Sequence, residues 1–241
     1  MKTFDKIALA LAAAFAVSAL LPAGYAAAAE KMAAVVVFVE GDAKLVRSGS
    51  PEPVELKLNE ALQEGDAIKT GPGAKASLVT KGGAEIRINE NSDFSIPVKK
   101  RNFFNLGGGQ VWSRMLSKMA KLNVRTPSAV CAVRGTEADI EQKEILTVKV
   151  YEGHVDLTGN QGKTQSLRAG QISTVAGAGS APAAPRQMTA GEQGKWQDGI
   201  DVKDIGKYLN QLGLEPADKK VRMKINKDGQ AKDVEIKLKK K

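Results

Sequence analysis

Short alternating runs, broken by a glycine or proline turn about every 8 to 12 residues, limit this chain to a β architecture more than any other feature. Residues 34–39 form a β-branched run closed by Glu40-Gly41-Asp42, and residues 43–47 resume it, which predicts a hairpin with a glycine turn. After a loop at residues 48–53, Val54, Leu56 and Leu58 alternate, and Gly65-Asp66 turns the chain into residues 67–70. Gly71-Pro72-Gly73 is the next turn, followed by the alternating Ala74, Ala76 and Leu78. Gly82-Gly83 leads to Ala84, Ile86 and Ile88, with Glu85 and Arg87 on the other face, and Phe94 and Ile96 alternate up to Pro97. The predicted class is all-β, built of short stacked strands as a sandwich or a solenoid-like array.

The apolar content of 42% suffices for a core, but aromatics are only 5%, so that core is mostly Val, Ile, Leu and Ala. The formal charge of +9 is unevenly spread: Lys99, Lys100, Arg101, Arg114, Lys118, Lys121 and Arg125 follow one another with no acidic residue between. Within that segment Trp112, Met115, Leu116, Met119 and Leu122 keep helical spacing, while Val111, Ser113 and Met115 alternate. We read a strand over residues 110–116 and then one helical turn.

The stretch VRTPSAVCAVRGTE, residues 124–137, is the most distinctive in the chain. Pro127 cannot donate to a sheet ladder and so belongs at an edge, a strand start or a bulge. The run Ala129-Val130-Cys131-Ala132-Val133 has the composition of a buried strand. Gly135 supplies backbone freedom or close approach, and Arg134 is expected to pair with a carboxylate or to cap strand-end carbonyls. This stretch resembles the T-P-x-A-x-x-x-V-R-G-T signature of the FecR-domain family, carried here by Thr126, Pro127, Arg134, Gly135 and Thr136. Gly65-Asp66 and Glu152-Gly153 fall in the same family pattern, and the resemblance spans residues 36–176. Ala138 departs from it, standing where the family places a bulkier residue. The motif Glu40-Gly41-x-x-x-Leu45 also recurs as Glu152-Gly153-x-x-x-Leu157.

No catalytic constellation emerges. His154 is the single histidine, which rules out a multi-histidine metal site, and Cys131 is the single cysteine, in an apolar run without a neighbouring base. Gly107-Gly108-Gly109 lacks the Gly-Lys-Ser/Thr of a phosphate loop. Asp66, Glu90 and Asp93 lack the oxygen-ligand spacing of a calcium loop. No cofactor or metal is expected.

Residues 1–29 read as an export signal: Lys2 and Lys6 precede a run of about fifteen apolar residues, short of the roughly 20 that a membrane span needs. Small residues before Glu30 offer cleavage frames. Residues 30–175 then form the β domain, 176–195 an Ala/Gly/Pro linker, and 196–241 a small segment of helix plus β-hairpin. The helix is predicted from Asp201, with Gly213 capping its end, and Asp228-Gly229 is the hairpin turn.

The resemblance implies a non-catalytic extracytoplasmic module for protein interaction, sensing or signal transduction. Full-length regulators of the family couple it to a cytoplasmic anti-sigma segment and one membrane span. With a signal read as cleavable, sigma-factor control is not expected of this chain. The expected location is the periplasm or the exterior, with no membrane span after cleavage, and the expected partner is another envelope protein or a second copy. Phe103, Phe104 and Trp112 are the candidate apolar anchors. The alternative is a cell-wall or other polyanionic carbohydrate, met by Lys99, Lys100 and Arg101, the rest of the basic segment and the lysine-rich tail. Nucleic acid is not expected, because export and the lack of aromatic stacking platforms count against it.

Overall fold

Among the described residues, fifteen strands join in one branched hydrogen-bonded sheet whose two layers share a core. The computed structural model describes residues 32–50, 52–100, 102–117, 120–214, 219–227 and 230–238. The signal-like residues 1–29, and with them Arg101 and Lys118, lie outside the described residues. The strands are β1 (Met32–Glu40), β2 (Ala43–Val46), β3 (Val54–Glu55), β4 (Ala61–Gln63), β5 (Ala67–Thr70), β6 (Lys75–Thr80), β7 (Ala84–Ile88) and β8 (Asp93–Ser95). Then come β9 (Phe103–Met115), β10 (Lys121–Arg125), β11 (Ala129–Gln142), β12 (Leu146–Gly159), β13 (Thr164–Arg168), β14 (Gln171–Val175) and β15 (Arg186–Gln187).

Layer A runs β15–β14–β12–β11–β9–β7–β6–β1–β4, and layer B runs β13–β12–β11–β10–β9–β8–β5–β2–β3. The three longest strands, β9, β11 and β12, belong to both. On β11, residues 129–134 pair with β10 and with residues 154–159 of β12, in layer B. Residues 137–142 pair with β9 and with the start of β12, in layer A. A strand can serve two sheets only if it bends, and each of these bends at glycine: Gly107-Gly108-Gly109 on β9, Gly135 on β11 and Gly153 on β12.

Glu40-Gly41-Asp42 does not close a hairpin. β1 pairs with β6 and β4 in layer A, while β2 pairs with β3 and β5 in layer B. Gly41, at φ +74°, turns the corner between layers, where a Cβ would lie 2.9 Å from Ala74 Cα. Two short alternating runs joined by a glycine turn suit either geometry, and local pattern alone does not distinguish them. The Glu-Gly-x-x-x-Leu echo thus marks two layer corners, at Gly41 and at Gly153.

The core draws on both layers: Leu45, Ile68, Phe94 and Leu157 from layer B, and Leu78, Ile86, Ile140 and Leu146 from layer A, each no more than 1% exposed. Burying such a side chain contributes about 1.5–3 kcal/mol. Mostly antiparallel pairing, with β9 and β10 parallel, and a single core give an all-β architecture of two stacked layers.

The stretch with linker composition is tied to the body. Ala183 N–H donates to Thr174 O, Ser173 Oγ donates to Ala183 O at 2.7 Å, and Gln187 pairs with Gln171. Two 3-10 turns follow, Ala190–Gln193 and Trp196–Gly199. The helix α1 (Ile205–Gln211) begins later than its spacing predicts, because Asp204 sits in the left-handed region at φ +53°. It ends as expected: Gly213 (φ +68°) donates to Asn210 O and Leu214 to Leu209 O, a Schellman pair of bonds. β16 (Lys219–Lys227) and β17 (Gln230–Leu238) form a separate antiparallel hairpin. Its Asp228-Gly229 turn lies outside the described residues.

Candidate functional site

The signature residues meet at the bend of the β11–β12 ribbon. Gly135 has φ +61° and Gly153 φ +70°, and the register shifts between Arg134 and Glu137. A Cβ on Gly153 would stand 2.5 Å from Gly135 O and 3.1 Å from Thr136 Cα, whereas one on Gly135 would meet nothing within 4 Å. Gly153 is therefore required for close approach as well as for its backbone angle, and Gly135 for its angle alone. Thr136 Oγ1 donates to His154 O at 2.9 Å, tying the two strands at the bend.

Upstream, Thr126 closes the turn into β11. Its hydroxyl accepts from Ser128 N–H at 3.2 Å and Ala129 N–H at 3.1 Å, and its own N–H donates to Ala129 O at 2.8 Å. Pro127 sits exposed in this turn, where no ladder bond is asked of it, and its carbonyl accepts from Asn160 Nδ2 at 2.8 Å. Arg134 does not pair as expected. It is exposed and, among the described residues, its side chain has neither a carboxylate nor a carbonyl partner. Strand alternation sends its neighbour Val133 into the core and Arg134 onto the outer face of layer B.

Asp66 is 2% exposed and staples its corner: it accepts from Arg47 Nη1 at 2.8 Å, Ser48 N–H at 3.0 Å and Gln63 N–H at 2.9 Å. Gly65, at φ +90°, lies where a Cβ would meet Ser48 Oγ at 2.5 Å. Glu152 is exposed opposite Glu137.

The proposed anchors are not brought together. Phe104 is 4% exposed and stacks on Phe94 with ring centroids 5.5 Å apart, inside the core. Trp112 is 3% exposed on the opposite face of layer A. Phe103 is half-buried, and Lys99 and Lys100 are exposed.

Trp112 belongs to a polar clasp that sequence reading missed. Its ring lies under the guanidinium groups of Arg87 and Arg114, at 4.7 and 5.5 Å from the centroid. Both arginines reach the fully buried Glu85, Arg87 Nε at 2.7 Å and Arg114 Nη2 at 2.5 Å. Trp112 Nε1 donates to Glu137 Oε1 at 3.1 Å, which also meets Lys195 Nζ at 2.9 Å. Asp139 accepts from Gln110 Nε2 at 2.9 Å and from Trp196 Nε1 at 2.6 Å, and Arg87 Nη1 donates to Gln197 O. Residues 195–197 are thereby strapped across layer A. Burial pushes the Asp139 carboxyl up to about 6, against the opposing pull of its two donors and of Lys149. The only signal in the sequence was an acidic residue, Asp139, between Ala138 and Ile140 of a buried run.

The single cysteine and the single histidine cannot cooperate. Cys131 is buried in the core, where desolvation pushes its thiol up to about 12, and His154 lies on the outer face. Among the described residues no cluster of His, Cys, Asp and Glu could hold a metal ion, and no helix is long and apolar enough to cross a membrane.

No curated protein matches the chain. Two crystal structures of a candidate anti-sigma factor from Parabacteroides distasonis are similar to part of it. One is 17% identical over 52% of this chain and 60% of that one, with a TM-score of 0.44. The other is 15% identical over 60% and 71%, with a TM-score of 0.46. The chain thus spans less than two thirds of the length of the first. The FecR protein family matches residues 66–156, from the Asp66 staple to the strand that carries Gly153. Over that stretch, the chain carries a FecR domain.

Proposed function

We propose that the chain is an exported, non-catalytic FecR module of the bacterial cell envelope that works by binding, as a sensing or scaffold component. The observation that carries this reading is the FecR match over residues 66–156, which falls on the glycine-cornered two-layer β fold. The polar groups of its interior serve the fold: Asp66 holds a corner, Glu85 holds two arginines, and Asp139 holds the strap. Its exposed faces are left for recognition, and the partner is another envelope protein or a second copy of the chain. Export is supported by the short apolar run before Glu30. The test is fractionation with intact-mass measurement, followed by photo-crosslinking from the face around Arg134. A mature periplasmic species and a discrete crosslinked partner support the reading; a cytoplasmic, uncleaved species contradicts it.

A second reading, binding of an anionic cell-wall polymer, is favoured by one specific observation. Exposed basic residues of layer B stand in register across adjacent strands, with no acidic partner among the described residues.

A further inference from the structure

Four strands of layer B place Lys121, Arg134, His154 and Arg168 in one transverse row. Lys121 pairs with Arg134, Arg134 with His154, and His154 with Arg168. Directly paired residues point to the same face, and here Lys121, Arg134 and Arg168 are exposed and His154 is half-exposed. None of the four side chains has a hydrogen-bonded or ionic partner among the described residues. With strands about 4.8 Å apart, the row is about 15 Å long. Like charges set directly opposite each other destabilise a sheet, so the Lys121–Arg134 pair works against the fold that carries it.

We infer that this row is the binding site for an extended acidic polysaccharide, a uronate-type chain lying across the strands. The inference rests on the second reading above and moves its site away from Lys99 and Lys100. Charge complementarity along a line is the first argument, since a polymer with regularly spaced carboxylates meets a cation on β10, β11 and β13 and the His154 ring, a hydrogen-bonding group, on β12 between them. The neighbouring rows supply the second. Phe103, Asn123, Ala132, Asp156 and Ser166 are in register beside it, and Arg125, Val130, Thr158 and Thr164 beyond them. These offer an amide and hydroxyls to sugar hydroxyls and one half-buried aromatic to a sugar ring. Asp156, next to the row, is occupied by Ser166 Oγ at 2.5 Å, and Glu152 lies beyond the Gly153 bend. Among the described residues, the face has no run of aromatics for stacking bases, no exposed apolar wedge for a bilayer, and no buried apolar anchor of the kind that dominates protein interfaces.

The test is calorimetric titration of the full mature chain with a galacturonate oligomer and with its methyl ester, at low and at physiological salt. We expect the acid to bind, the ester not to, and binding to weaken as salt rises. The double variant Arg134→Gln/Arg168→Gln should lose roughly five- to thirtyfold in affinity while melting no lower than the parent. The control Lys203→Gln/Lys207→Gln, with the same change in net charge, should stay within about twofold of the parent. No binding of the acid overturns both the site and the second reading. Binding that ignores the row variant overturns the site and leaves the second reading standing. Equal, row-dependent binding of phosphatidylglycerol vesicles, single-stranded DNA or an acidic peptide overturns the assignment to a polysaccharide.

Discussion

A Cβ on Gly153 would stand 2.5 Å from the carbonyl oxygen of Gly135, so the two strands of the central ribbon touch backbone to backbone where both bend. Neither contact nor bend depends on a side chain at Gly135. The two glycines therefore differ in what replacing them costs. Gly135→Ala pays only for a left-handed backbone angle, about 1–2 kcal/mol. Gly153→Ala adds a backbone collision and should cost about 3 kcal/mol or more. Urea unfolding of the two variants checks the order, and equal losses would contradict the geometry.

Asp66→Ala should destabilise by about 2–4 kcal/mol. It removes the acceptor of two backbone N–H groups and strips Arg47 of one carboxylate, leaving Glu60 as its other ion-pair partner. Asp66→Asn keeps an acceptor oxygen and should cost less. The comparison is read from thermal unfolding with both variants at the same pH.

Asp139 gives the fold a pH dependence of definite sign. Its folded value of about 6 lies above the ordinary carboxylate range, so the folded state holds this proton more tightly than the unfolded chain does. The contribution is fully present below the ordinary value and is lost as pH rises through about 6. Between pH 5 and 7 it should lower stability by on the order of 1 kcal/mol. Asp139→Asn should flatten that part of the profile, as measured by urea midpoints across the range.

The strands and the final helix were legible because alternation and spacing depend on neighbours in sequence. Val111, Trp112 and Ser113 read as strand, and Gly213 as a helix end, and both are so. What each strand pairs with was not legible. Glu40-Gly41-Asp42 has the chemistry of a hairpin turn, yet its glycine carries the chain from one layer to the other. The clasp was hidden for a different reason: Trp196 meets Asp139 across 57 residues of chain, and no periodicity links them. Trp112, read as a candidate apolar anchor for a partner, is instead buried within the protein, where that same strap and two arginines cover it. Arg134 was expected to be held by the fold, since a charge beside a core strand normally needs a partner. Alternation instead places it on an open face.

The account divides the Arg134-Gly135 pair between two tasks, the glycine shaping the fold and the arginine meeting a ligand. Arg134→Gln tests that division most directly, with thermal melting and galacturonate titration on the same sample. The account predicts a melting temperature equal to or above the parent's, because like-charge repulsion along the row is relieved, together with weakened binding. A lower melting temperature with unchanged binding would contradict it.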